Sequence, residues 1–157
     1  MRLAARRPWT LDRNALERVT REFEVDRVRA VDGELDCLAR VVLDSALEVH
    51  KILGPGFLES VYEEALAVEL TRRAIPFERQ VPVSVKYKGY CVGEGRVDLL
   101  VGGELIVELK SVEALAAVHV AQVISYLKAF GRPLGLLITF NVKLLRTGVR
   151  RVVLSRF

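Results

Sequence analysis

The chain has 157 residues, 51% of them apolar, with 24 basic and 20 acidic side chains and a formal net charge of +4. That size suits one domain, or one domain with an appendage, and the apolar share is enough to fill its core. No apolar run approaches a membrane span and no hydrophobic stretch follows the basic Met1–Arg7, so neither a membrane anchor nor a secretory leader is expected and the chain reads as cytoplasmic. Cys37 and Cys91 lie far apart without metal-type spacing and are expected to be reduced thiols in the core.

In chain order, residues 1–35 read as an N-terminal helical extension and 36–157 as the main domain. Thr10 or Asp12 is expected to cap a helix reaching about Arg29, with Leu11, Ala15, Leu16, Val19 and Phe23 at roughly helical spacing. No chemistry shows in this segment; it is a candidate for packing on the domain, for a protein partner or for a homodimer. A second helix is expected over Leu35–Leu53, with Leu38, Val41, Val42, Ala46, Val49 and Ile52 as its apolar stripe, stopped by Gly54-Pro55-Gly56. A third is expected from about Phe57 to Arg73. On it Glu59, Tyr62 and Glu63 share a face, and Val61, Ala65 and Val68 are expected to turn towards the core.

Alternation at Val81, Val83, Val85 and Tyr87 predicts a strand over 79–87, and Lys88-Gly89 turns it into the strand carrying Asp98. Another follows, ending Glu108-Leu109-Lys110. Residues 115–130 are helical, Leu134–Phe140 is a buried strand and Val149–Leu154 an edge strand. The order is thus helix, three strands, helix, strand and an extra strand, and the last helix is a crossover long enough for parallel pairing.

Charge is unevenly placed. Residues 36–113 hold nine basic and thirteen acidic side chains, whereas 114–157 hold seven basic ones and no acid. An acidic cluster beside a basic segment suits a metal site that must also hold a polyanion; a solvated basic tail is the plainer alternative.

The chemistry centres on Gly95–Lys110, GRVDLLVGGELIVELK. Residues two apart on a strand face the same way, so Glu108 and Lys110 project together. Alone, that pair reads as an ion pair on an exposed sheet face. With Asp98 it reads instead as a hard-oxygen cage for Mg2+ or Mn2+, to which the Leu109 backbone carbonyl can add an oxygen and Glu59 a further carboxylate. Lys110 then stands where it can orient a water or stabilise developing charge. The register makes a demand: a two-residue turn at Gly102-Gly103 would set Asp98 opposite Val107, on the wrong face, so an odd-length loop or a bulge is expected. Glu59 alone would be only a first-turn acid favoured by the helix dipole. Gln122 and Tyr126, four apart with His119 three before them, share a helix face and can hydrogen-bond the site or a phosphate, although surface polarity explains them equally well. His50 reads first as a helix-surface or loop-contact residue.

Gly56-Phe57-Leu58-Glu59-Ser60-Val61-Tyr62 carries the motif that names the GxxExxY protein family. RQVPVSVKYKG, GEGRVDLLV, LIVELKSVEAL and HVAQVISYLKA follow in the order of that family, so the resemblance covers about residues 36–155. That family resembles the PD-(D/E)XK nuclease superfamily and within it the RecB-like nucleases. The resemblance implies an α/β, restriction-endonuclease-like αβββαβ core with a mixed central β-sheet flanked by helices. It also implies a Mg2+-dependent nuclease site. By position Asp98 matches the motif Asp, Glu108 and Lys110 the E-x-K, Glu59 the first-helix acid, and Gln122 and Tyr126 the Q-x-x-x-Y of RecB-like members. Val97 stands where the superfamily name has Pro. The expectation is a Mg2+- or Mn2+-dependent nuclease acting on nucleic acid, DNA first, with catalytic residues Glu59, Asp98, Glu108, Lys110, Gln122 and Tyr126. The rival is a non-catalytic nucleic-acid-binding or protein-interaction module on the same fold.

Overall fold

The computed structural model describes residues 11–23 and 32–154. Helix α1 (Arg13–Phe23) precedes α2 (Gly33–Leu53) and α3 (Glu59–Arg72). Strands β1 (Phe77–Tyr87), β2 (Tyr90–Val101) and β3 (Leu105–Lys110) lead through α4 (Ala117–Phe130) to β4 (Leu134–Thr139). A 3-10 turn (Leu145–Gly148) then leads into β5 (Val149–Val153). The five strands form one mixed sheet in the order β1-β2-β3-β4-β5, parallel between β3 and β4 and antiparallel elsewhere. The expected fold class is thus the observed one. The parallel pair follows from the α4 crossover, because a parallel connection needs a long excursion over the sheet face.

Helices cover both sheet faces. Leu99, Val101, Leu105, Val107, Leu109, Leu134, Leu136 and Ile138 pack beneath α2 and α3, whereas Val97, Leu100, Ile106 and Leu137 pack with Val123 and Leu127 of α4. β3 and β4 are apolar on both faces for this reason.

Asp12 caps α1: its Oδ1 accepts the Ala15 N–H at 2.7 Å. Thr10 and the expected helix from 24 to 29 lie outside the described residues. Val19 is fully buried in the core cluster, and Leu11 packs against it. The Asp44 carboxylate, itself buried, accepts hydrogen bonds from Arg18 of α1 and from Arg73 just after α3, the latter at 2.6 Å. One acid therefore ties three helices together.

Several side chains sit elsewhere than their spacing predicted. The buried stripe of α3 is Tyr62, Leu66 and Leu70, while Val61 and Val68 are exposed. Tyr62 decides the rotation. Its ring stacks on Phe140 with centroids 4.6 Å apart, and its hydroxyl donates to the Gly54 carbonyl at 2.6 Å. A large ring with a satisfied hydroxyl buries more apolar surface than a valine, so it takes the core position. Ile52, in the last turn of α2, projects into solvent. Cys91 is exposed rather than in the core, because it lies on the part of the β1–β2 hairpin that α4 does not cover. No helix among the described residues is long and apolar enough to cross a membrane.

Candidate active site

The site is built where the β1–β2–β3 ladder is interrupted. β2 and β3 pair Leu99 with Val107, Leu100 with Ile106 and Val101 with Leu105, which leaves a three-residue loop, Gly102-Gly103-Glu104. The loop is odd, as the sequence demanded, and the same register extended by one place brings Asp98 level with Glu108. Gly102 and Gly103 have φ of 60° and 71°. Side chains rarely adopt that region, so glycine makes the odd loop affordable.

At Asp98 the backbone pairing stops and side chains take over. Leu109 N–H donates to Asp98 Oδ2 at 2.7 Å, and Asp98 N–H points at Glu108 Oε2 at 3.4 Å. The interruption continues into β1. Arg79 pairs with Leu99 and Val81 with Val97, but Gln80 between them has φ of 50°. Its amide donates to Glu63 Oε2 at 2.8 Å and to Asp98 Oδ1 at 3.3 Å. The hairpin also turns over here: Val97 packs under α4, whereas Leu99, two residues on, packs under α2 and α3. A non-glycine residue in the left-handed region costs roughly 1–3 kcal/mol and persists only where its surroundings fix it. In this chain those surroundings are the carboxylates.

Lys110 reaches Glu108 Oε1 at 3.5 Å. Two-residue alternation from Ile106 places both on the sheet side covered by α4. Glu59 enters from the other direction, at the first turn of α3. Its position follows from its neighbours. Gly56 has φ of 112°, which turns the chain. Phe57 N–H donates to the Tyr62 hydroxyl at 3.2 Å, and Ser111, next to Lys110, donates to the Phe57 carbonyl at 2.8 Å. The G-x-x-E-x-x-Y spacing thus has a physical content: Gly makes the turn, Tyr anchors it to the core, and Glu is delivered to the end of β3.

The electrostatics match this crowding. Burial, then the Asp98 charge, pushes Glu108 up to about 7 against the pull of Lys110. Burial also raises Asp98, with the Glu63 charge adding to it and the Leu109 N–H opposing it. Glu59 is raised by burial and then by Asp98. A buried set of acids that resists losing its protons is short of positive charge.

All donors in the set are hard oxygens, the type that suits Mg2+ or Mn2+. Among the described residues no group of three or more His, Cys, Asp or Glu side chains is arranged to hold an ion as it stands. The reason is visible: the Asp98 oxygens face Leu109 and Gln80, and the Glu108 oxygens face Asp98 N–H and Lys110. Mg2+ asks little of protein, since it keeps several waters and binds through one or two carboxylates plus substrate phosphate. The donor chemistry therefore fits, given rotation of Glu108 away from Lys110.

The structure brings Glu59, Asp98, Glu108 and Lys110 to one place. Gln122 and Tyr126 of α4 bond to each other at 3.2 Å and not to the carboxylates. Tyr126 lies against β2, where Gly95 leaves room for its ring. His119 Nδ1 accepts the Ala116 N–H at 2.9 Å and so closes the start of α4. His50 makes a loop contact, to the Val142 carbonyl at 2.7 Å. The basic C-terminal segment is partly structural, since Arg151 pairs with Asp36 of α2 at 2.7 Å. Sequence reasoning gave no role to Gln80, Glu63 or Gly95. Glu63 had a signal, four residues after Glu59 on one helix face; Gln80 had none, because nothing in a strand sequence announces a left-handed residue.

A sequence model of the PD-(D/E)XK nuclease superfamily matches residues 36–152. Among solved structures, the crystal structure of SSO0001 is similar over 92% of this chain and 77% of its own, at 17% identity and a TM-score of 0.48. No curated protein matches the chain.

Proposed function

Because the chain belongs to the PD-(D/E)XK nuclease superfamily, we propose that it hydrolyses phosphodiester bonds of nucleic acid, DNA first, with the help of Mg2+ or Mn2+. Glu59, Asp98, Glu108 and the Leu109 carbonyl would hold the cation. The observation that carries this reading is the gathering of those carboxylates beside a single lysine, with Glu108 raised to about 7. A divalent cation supplies charge neutralisation at the scissile phosphate and makes water a stronger nucleophile. The chain's own residues do the rest. Lys110 leaves Glu108 to orient the attacking water and to stabilise charge developing on the phosphate. Gln80 fixes Asp98 through one carboxylate oxygen and the Leu109 N–H fixes it through the other. Gln122 and Tyr126 support the site from α4. The test is cleavage of labelled DNA in Mg2+ by wild type and Asp98→Asn. The variant is expected to be folded and inactive; a folded variant that still cleaves with Mg2+ refutes the assignment.

The Glu108–Lys110 pair favours a second reading, a non-catalytic nucleic-acid-binding module, because it gives both groups a partner without a cation. Thermal unfolding separates the two. A cation that binds the folded state raises the melting temperature, whereas the binding module melts alike in Mg2+ and EDTA.

A further inference from the structure

A groove of about 710 Å³ runs between β1 and the C-terminal half of α4. Lys86, Lys128, Ser84 and Ser125 line it, Tyr126 and Phe130 contribute rings, and no acidic residue does. At Tyr126 the groove meets the site just described, since that ring packs on Gly95, three residues before Asp98. At its other extreme Lys86, the last β1 residue of the lining, leads directly into the tip of the β1–β2 hairpin. There Tyr87 and Tyr90 pair across the Lys88-Gly89 turn and are 63% and 77% exposed. The Lys88 ammonium lies 5.5 Å from the Tyr87 ring centre.

We propose that this groove and hairpin tip bind a single-stranded polynucleotide, its phosphates along Lys86, Lys88 and Lys128 and its unpaired bases stacked on Tyr87 and Tyr90. The proposal rests on the nuclease reading for its substrate class and adds the strand class and the path. Positive charge without acids complements a phosphate backbone. Exposed rings between lysines present flat faces that only unstacked bases can meet, because paired bases in a duplex are already stacked on each other. A protein-docking patch shares exposed tyrosines but is depleted in lysine at its centre, whereas here lysines flank the rings.

The experiment is fluorescence anisotropy of a labelled oligothymidylate and of a duplex of equal length, in EDTA so that nothing is cut. Wild type is compared with Tyr87→Ala/Tyr90→Ala and with Lys86→Ala/Lys128→Ala, all checked for folding by circular dichroism. Wild type is expected to prefer the single strand. The tyrosine variant should lose at least about fivefold in affinity for it, the lower end for one lost stacking contact. The lysine variant should lower the slope of log affinity against log salt by about 0.7 per phosphate contact removed. Equal affinity for duplex and single strand, or an unchanged tyrosine variant, overturns the proposal. So does an absence of oligonucleotide binding, and tyrosine-dependent dimers in sedimentation would then assign the tip to self-association. Tyrosine-dependent binding without Mg2+-dependent cleavage would leave the groove standing and remove the nuclease reading. Cleavage indifferent to the tyrosines would do the reverse.

Discussion

Asp98 and Glu108 face each other across two strands whose backbone pairing has just ended. Asp98 N–H is directed at Glu108 at 3.4 Å, and the Asp98 carboxylate accepts the N–H of the residue after Glu108 at 2.7 Å. The ladder gives up regular hydrogen bonds so that two buried acids share one row. Replacing Asp98 with Asn keeps an acceptor for Leu109 and removes one charge from the cluster. It also sets an amide NH2 against Gln80 Nε2 in place of the Oδ1 acceptor, so in metal-free buffer Asp98→Asn is expected to melt close to wild type, while Mg2+ raises its melting temperature less. Differential scanning fluorimetry with and without the cation checks both.

Glu108 makes stability depend on pH. Its folded-state value is about 7 against an ordinary 4.5, raised by burial and by Asp98. The folded protein then keeps a proton that the unfolded chain has released, so stability falls as pH rises. This group's contribution is fully present below 4.5 and is lost as pH climbs through about 7; Asp98 and Glu59 act in the same direction. The urea midpoint of metal-free protein is expected to drop between about pH 5 and about pH 8. Glu108→Gln should flatten that drop, and Mg2+ should offset it at the alkaline end.

Gly102 sets the register that the site needs. A Cβ there would approach Leu38 Cδ2 to 2.9 Å in a backbone with φ of 60°. Gly102→Ala is expected to cost about 1–2 kcal/mol from the left-handed conformation alone, read as a lower urea midpoint at unchanged slope. An increase in stability would show that the loop is not held in that conformation.

Gly95 admits Tyr126. A Cβ at Gly95 would lie 2.8 Å from the Tyr126 ring, so Gly95→Ala must push that ring off β2. The expected result is a larger loss of cleavage than of stability, compared with Tyr126→Phe. Equal activity of Gly95→Ala and wild type would show that the ring's place against β2 does not matter.

Asp44 carries structure and no chemistry. Its carboxylate is buried, but the guanidinium of Arg18 is largely exposed and that of Arg73 partly so. Asp44→Ala frees both arginines to turn to water. The expected cost is therefore about 1.5–3 kcal/mol, the range for hydrogen bonds to a charged group, below that of a stranded buried charge. Chemical denaturation measures it, and Mg2+ stabilisation should persist in the variant.

The element order and the sheet were legible because hydrophobic periodicity and Gly/Pro punctuation act locally. Even the odd loop after Val101 could be required in advance, since alternation along two strands allows Asp98 and Glu108 one face only if the count is odd. Side-chain choices made across the fold were not legible. Val61 and Val68 lost the core to Tyr62 because Phe140, far along the chain, offers a stacking partner. Gln80 was unreadable because its left-handed backbone is fixed by Glu63 and Asp98, distant in sequence. Arg151 read as part of a basic surface until β5 laid it against Asp36.

The central claim is a cation-assisted nuclease built on Asp98, Glu108 and Lys110. The most direct measurement incubates purified protein with labelled single- and double-stranded DNA and RNA in Mg2+, Mn2+ or EDTA, beside Lys110→Ala. Cleavage that requires the cation and is lost in the variant is the predicted result. No cleavage of any substrate, with nucleic-acid binding intact and no stabilisation by either cation, would contradict it.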